Sequence, residues 1–221
     1  IISIIMTIAK NEGIKYVLSG SDFRSEGKQP NLWTYTDSKL LHHTLGKYEK
    51  VKLSSFPISN PITQTLTSFV HKIKIVKPFY FLDYNKLKAQ KFLSKKYGWE
   101  NYGGHHHENI FTKFAISYWM YEKFGIDKRI ITFSAQVING EMTRNEAVSK
   151  LKSKPYDVNE IEDMIELVSN KLDLSDQEFE SIWKNKNKSF LDYPSFYNTI
   201  MENKKLVKFL SYYLLKTKPK F

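Results

Sequence analysis

The spacing of apolar residues divides the chain into a front part that mixes helix and strand and a longer remainder poor in strand. Ile1, Ile2, Ile4, Ile5, Ile8 and Ala9 recur at helical intervals, and Gly13 stops the run. Ile14 to Ser19 reads as a short buried strand and Gly20 to Trp33 as a polar loop. A helix is expected from about Thr36 to Gly46, a strand near Val51 to Phe56 and a helix from Ile62 to Lys72. An extended segment follows from Ile75 to Leu82, with Pro78 counting against it. Asn85 to Tyr97 patterns as an amphipathic helix ended by Gly98. From Glu108 onward, Ile110, Phe111, Phe114, Ala115, Tyr118 and Trp119 fall on one helical face. Thr143-Arg-Asn-Glu146 and Ser175-Asp-Gln-Glu178 are capping-box patterns, and Thr143 to Leu215 is expected almost wholly helical. Helix, strand, loop, helix and strand in that order predict an α/β layer covered by a helical region.

Composition narrows the class. The 221 residues are 41% hydrophobic and 15% aromatic, enough for one sizeable core with a helical appendage. No apolar run is long enough to span a bilayer, and the apolar start lacks the basic flank of a signal peptide. The absence of cysteine excludes disulfides, thiolate catalysis and Cys-ligated zinc within these residues, and a cytoplasmic setting is the expectation. The net charge of +11 has two readings, a Lys-rich composition or a partner rich in phosphate. The lysines are spread along the chain, which favours the first. The chain begins inside an apolar helical pattern without an initiator Met, so the expectation is of a piece that starts within a domain.

Four clusters carry candidate chemistry. Behind the Tyr16 strand lie Ser19, Gly20, Ser21, Asp22 and Glu26; ligands of open α/β sheets bind beyond strand carboxyl ends, and Gly20 lets backbone approach a ligand. An ordinary polar turn is the plain alternative. Gly103-Gly-His-His-His-Glu108 gathers titratable groups at a helix start. It reads as a charged-substrate site through His106 and Glu108, as a helix-capping loop, or as a metal site. The i, i+4 histidine spacing of a helical zinc motif is absent. Lys113, Lys128, Arg129 and Arg144 sit near helix boundaries, where basic groups can clamp phosphate or serve as solvated charge. Trp183, Phe190, Tyr193, Phe196, Tyr197, Phe209, Tyr212 and Tyr213 interleave with lysines, a pattern of core plus solvated face more than of nucleic-acid binding.

Several blocks carry a resemblance. Ser19-Gly20, Glu26-Gly27, Pro30 and Trp33 come first, followed by Trp99, Tyr102-Gly-Gly-x-His106-x-Glu108, Phe111-Thr-Lys-Phe114 and Lys123-Phe-Gly-Ile-Asp-Lys-Arg129. Gly140-Glu-Met-Thr-Arg144, Glu146-Ala147 and Leu191-Asp-Tyr-Pro-Ser195 complete the set. Together they resemble the C-terminal part of the N-acetyl sugar amidotransferases, a family of the PP-loop ATP pyrophosphatase superfamily in surface-polysaccharide, lipopolysaccharide and nonulosonic-acid biosynthesis. The chain departs from that pattern. Its Ser-Gly-Gly-x-Asp-Ser loop and Cys-x-x-Cys region do not occur here, His105 and Lys113 replace a lysine and an arginine, and Ser21-Asp22 replaces Glu-Asn.

The resemblance implies a partial Rossmann-like, adenine nucleotide alpha hydrolase-like layer over residues 1–98 and a mainly helical C-terminal region over 99–221. It implies that ATP, with Mg, activates the acetamido oxygen of a nucleotide-linked or lipid-linked N-acetyl sugar. Ammonia then displaces AMP to give an acetamidino group. The ammonia comes from a glutaminase subunit through a cyclase-like channelling subunit, and nucleic acid is not an expected partner. Ser19, Gly20, Ser21, Asp22 and Glu26 would border the nucleotide; His106 and Glu108 would face the sugar or reacting centre; Lys113, Lys128 and Arg129 would stabilise phosphates. The 221 residues alone, lacking the phosphate loop, would be inactive. The rival readings are a PP-loop enzyme modifying tRNA, a non-catalytic helical interaction module and, last, a hydrolase using a histidine-bound metal.

Overall fold

A computed structural model describes residues 2–48, 58, 60–104 and 107–213. The protein is mostly helical with one small parallel sheet. In chain order the elements are α1 (Ile2–Asn11), β1 (Tyr16–Leu18), α2 (Phe23–Glu26), α3 (Ser38–Tyr48), α4 (Pro61–Val70), β2 (Lys74–Val76) and α5 (Lys86–Tyr97). They continue with α6 (Ile110–Lys113), a π-helix (Phe114–Lys123), α7 (Arg129–Ile138), α8 (Arg144–Leu151), α9 (Ile161–Lys171), α10 (Asp176–Lys184), α11 (Tyr197–Glu202) and α12 (Lys204–Tyr213). Short 3-10 turns stand at Pro78–Tyr80 and Phe190–Asp192. Among the described residues no helix is long and apolar enough to cross a membrane.

The chain forms two compact units, 1–20 with 30–78 and 188–221, and 21–29 with 79–187. In the first, β1 and β2 run parallel with Val17 opposite Ile75, as a long helical crossover requires. Ser19 N–H donates to Val76 O (2.8 Å) and Lys74 N–H to Lys15 O (2.8 Å), extending the ladder at both ends. Helix α1 packs on α4, and Met6, Ala9 and Ile73 form the core with Val17 against them. The expectation of a buried strand is corrected here: Tyr16 is 62% and Leu18 72% exposed. Side chains alternate across a strand, so a layer that covers Val17 leaves its two neighbours on the other face. The extended reading of Ile75 to Leu82 also shortens, because Pro78 opens a 3-10 turn. The strand expected near Val51 to Phe56 lies outside the described residues. Asp37 caps α3 through Leu40 N–H (2.8 Å) and accepts from Phe196 N–H (2.7 Å). Tyr35, Phe190 and Tyr197 close an aromatic triangle with centroids 4.8–5.1 Å apart.

In the second unit the single α-helical face expected from Glu108 is also corrected. The segment widens into a π-helix at Phe114, and Ile110 and Phe111 stay exposed. A π turn brings residues four and five apart onto one side. Phe114, Tyr118 and Trp119 accordingly converge on Met164, Val168, Ile165 and Phe179. Lys123, at the end of the same stripe, lies over Trp119 and Trp183 and donates to the carbonyls of Trp183 and Asn185 (2.9 Å for the latter), capping α10. Both capping boxes form as the sequence predicts, Thr143 with Glu146 and Ser175 with Glu178.

Candidate functional site

Helix α2 is one turn long, and its cap explains why it forms. Asp22 is buried; its carboxylate accepts from Arg24 N–H (3.2 Å), Ser25 N–H (3.1 Å) and Ser25 Oγ (2.6 Å). Arg24 ties the helix to the 79–82 segment by donating to Phe79 O (3.0 Å) and Leu82 O (2.8 Å). At the other end, Gly27 takes φ +68, and a Cβ there would stand 2.6 Å from Ile131. That close approach lets α2 pack directly on α7. The structure thus brings Ser21, Asp22 and Glu26 beside the helix that Lys128 and Arg129 begin. Ser19 and Gly20 belong to the first unit, where Ser19 extends the ladder of β1.

Lys128 and Arg129 differ in what they have left to offer. The half-buried Lys128 ammonium meets the neutral Gln29 amide oxygen, and burial draws its pKa below the usual lysine value. Arg129 uses all five N–H donors. They go to both carboxylate oxygens of Asp127 (2.8–3.2 Å) and to the carbonyls of Lys150 (3.2 Å), Ser153 (2.7 Å) and Lys154 (3.4 Å). Arg129 therefore pins the start of α7 to the end of α8.

Tyr84 is the residue that ties this region together, and residue spacing gave no sign of it. Its hydroxyl pKa is raised by burial and then by the negative charges of Asp22, Glu141 and Glu26. Glu141 accepts from Asn139 Nδ2 (3.0 Å) and Lys86 N–H (3.4 Å) through Oε1, while its Oε2 is buried with no partner among the described residues. The signal for Glu141 was present in the Gly140-Glu-Met-Thr-Arg144 block, though nothing there singled it out.

The second group of predicted residues gathers at the start of α6, which Asn109 caps through Thr112 N–H (2.9 Å). His106 and His105 lie outside the described residues. Their neighbour His107 is half-buried, with its ring so close over Gly104 that a Cβ there would meet it at 2.3 Å. Burial lowers its pKa below the ordinary histidine value, the nearby Lys113 ammonium lowers it further, and Glu108 opposes both. An imidazole kept neutral beside an ammonium and a carboxylate suits proton transfer. Lys113 also pairs with Glu160 (2.7 Å), and Glu108 is exposed. Among the described residues no three His, Asp or Glu side chains converge as a metal site.

A family model described as the LPS biosynthesis protein WbpG-like, C-terminal domain, matches residues 108–218, half of the chain. No curated protein and no solved structure matches it. The match takes in Glu108, Lys113, Lys128, Arg129 and Glu141, together with the π-helix and the capping boxes. The chain belongs to the WbpG-like family of LPS biosynthesis proteins.

Proposed function

We propose that this chain supplies part of an ATP-dependent N-acetyl sugar amidotransferase acting in lipopolysaccharide assembly. The acetamido oxygen of a nucleotide-linked or lipid-linked sugar attacks the α-phosphorus of ATP. Pyrophosphate leaves and an O-adenylated imidate forms. Ammonia from a glutaminase subunit, delivered through a cyclase-like subunit, adds to the imidate carbon; AMP leaves and an acetamidinium remains. An amide oxygen is a poor leaving group, and adenylation makes it a good one. In this reading residues 1–98 belong to a Rossmann-like PP-loop domain and 99–221 to the helical region that completes the site, in a cytoplasmic enzyme.

The observation that carries the reading is the packing of α2 on α7, with Gln29, just beyond α2, against Lys128 at the start of α7. A half-buried ammonium opposite a neutral amide has lost water without gaining an anion. A phosphate or pyrophosphate arriving there restores the missing charge partner, and such preset charge stabilises the leaving group as it departs. Arg129 acts through Lys128 by fixing the start of α7, and Lys113 and Glu108 attend the reacting centre with His106 or His107. Mg, where bound, would accompany the nucleotide's phosphates and offset their charge.

The test is AMP release that depends on both sugar and ammonia, in an enzyme that joins these residues to a Ser-Gly-Gly-x-Asp-Ser loop. Lys128→Ala should lower turnover about 100-fold, the usual scale for one charge-stabilising donor. Unchanged turnover removes Lys128 from the site, and salt-dependent tRNA binding without AMP release would move the family assignment to another reaction.

A further inference from the structure

A surface cavity of about 420 Å³ opens where the beginning of α5 meets the end of α7, within the second unit. Asp83, Tyr84, Asn85, Lys88, Phe92 and Asn139 line it. The polar inventory is mixed in a particular way. Among the described residues the Asp83 carboxylate and the Lys88 ammonium have no hydrogen-bond or ion-pair partner. Asn85 uses its Oδ1 to cap Lys88 N–H (2.9 Å), which leaves its Nδ2 to donate. Asn139 uses its Nδ2 on Glu141 (3.0 Å), which leaves its Oδ1 to accept. The cavity therefore offers two donors and two acceptors around the rings of Tyr84 and Phe92.

That pattern selects among ligands. One cation opposes one carboxylate, so the lining has no net charge with which to hold a phosphate. Four polar groups without other partners make it a poor seat for an apolar molecule. A ring of hydroxyls suits it, because each hydroxyl both donates and accepts and the C–H face can lie on an aromatic side chain. The geometry points to this cavity as a pyranose-binding subsite, in which Asp83 and Asn139 accept from sugar hydroxyls, Asn85 and Lys88 donate to them, and Phe92 packs on the ring. The assignment rests on the proposed action on a sugar and adds the residues that would hold it.

The probe is N-acetylglucosamine, followed by saturation-transfer NMR on the 221-residue chain without ATP. Saturation of protein aromatic protons should pass to the ring protons of the sugar. Asp83→Ala and Phe92→Ala should each weaken binding about tenfold, about 1.4 kcal/mol by the conversion of affinity to free energy. Both residues are exposed, so neither change threatens the fold. Leu172→Ala, an exposed change in the same unit, should bind as the parent does. No transfer from the parent chain to the sugar, or binding as tight as the parent's by the two cavity variants, overturns the subsite. If the sugar binds through these residues but the complete enzyme releases no AMP, the subsite stands and the reaction proposed above falls. If AMP release proceeds and Asp83→Ala keeps the parent KM for the sugar, the subsite falls and the reaction stands.

Discussion

Two apolar segments of similar promise meet different fates. In the first unit Met6 and Ala9 are buried with Ile73, while Ile2, Ile4, Ile5 and Ile8 of the same helix stay exposed. In the second unit Phe114, Met164 and Val168 anchor a cluster that draws in Tyr118, Trp119, Ile165 and Phe179, and Trp183 stacks on Tyr118 (5.3 Å). The isoleucines are as hydrophobic as the aromatics; what differs is the number of neighbours each segment meets. Helix α1 lies on α4 and a two-stranded sheet, so one stripe is covered. The π-helix meets α9 and the aromatic face of α10, so a wide stripe is covered. Periodicity tells which side of a segment is apolar, and the tertiary neighbours decide how much of that side leaves water.

The sharpest way to break the contrast is truncation in each core. Phe114→Ala should cost about 3–5 kcal/mol and Met6→Ala about 2 kcal/mol, read as separate losses of amide protection in the two units. Equal costs would abolish the distinction. Next in size is Gly27→Ala, which places a methyl 2.6 Å from Ile131 at a positive φ. About 2 kcal/mol should be lost and protection of α2 should fall with it, while that of α1 holds. An undisturbed α2 would mean that its close approach to α7 does not matter.

The smallest expected effect concerns His107. Burial depresses its folded-state pKa, so the unfolded chain takes up a proton first as the medium acidifies. Stability from this group is complete above the ordinary histidine value and is lost as pH falls from there through the lower, folded value. The urea midpoint of the second unit should therefore drop between about pH 7 and pH 5, and His107→Phe should flatten that part of the profile. A profile unchanged by the substitution would remove His107 as its source.

Local rules were legible in the sequence, and distant ones were not. Thr143, Ser175 and the glycine after Tyr97 act within four residues of themselves, and each cap forms as expected. The exposure of Tyr16 and Leu18 depends on what covers the opposite face of a sheet, which no local pattern states. The site divides in the same way. Lys128 was visible as a base at a helix boundary, but its half-buried place against Gln29, 99 residues away in sequence, was not. Arg129 looked like its twin until its five donors were traced to Asp127 and the end of α8. Tyr84 gave no local signal, because its importance lies in three carboxylates drawn from distant parts of the chain.

The wide helix from Phe114 to Lys123 makes segment length as consequential as residue identity. Deleting one residue near its start would turn every later side chain by about 100° about the helix axis relative to the residues before it. Lys123 would then leave the carbonyls of Trp183 and Asn185, and α10 would lose the cation at its end. The segment should therefore accept many exchanges of one large apolar residue for another and very few changes in length, so that an indel scan across it would be far harsher than a substitution scan.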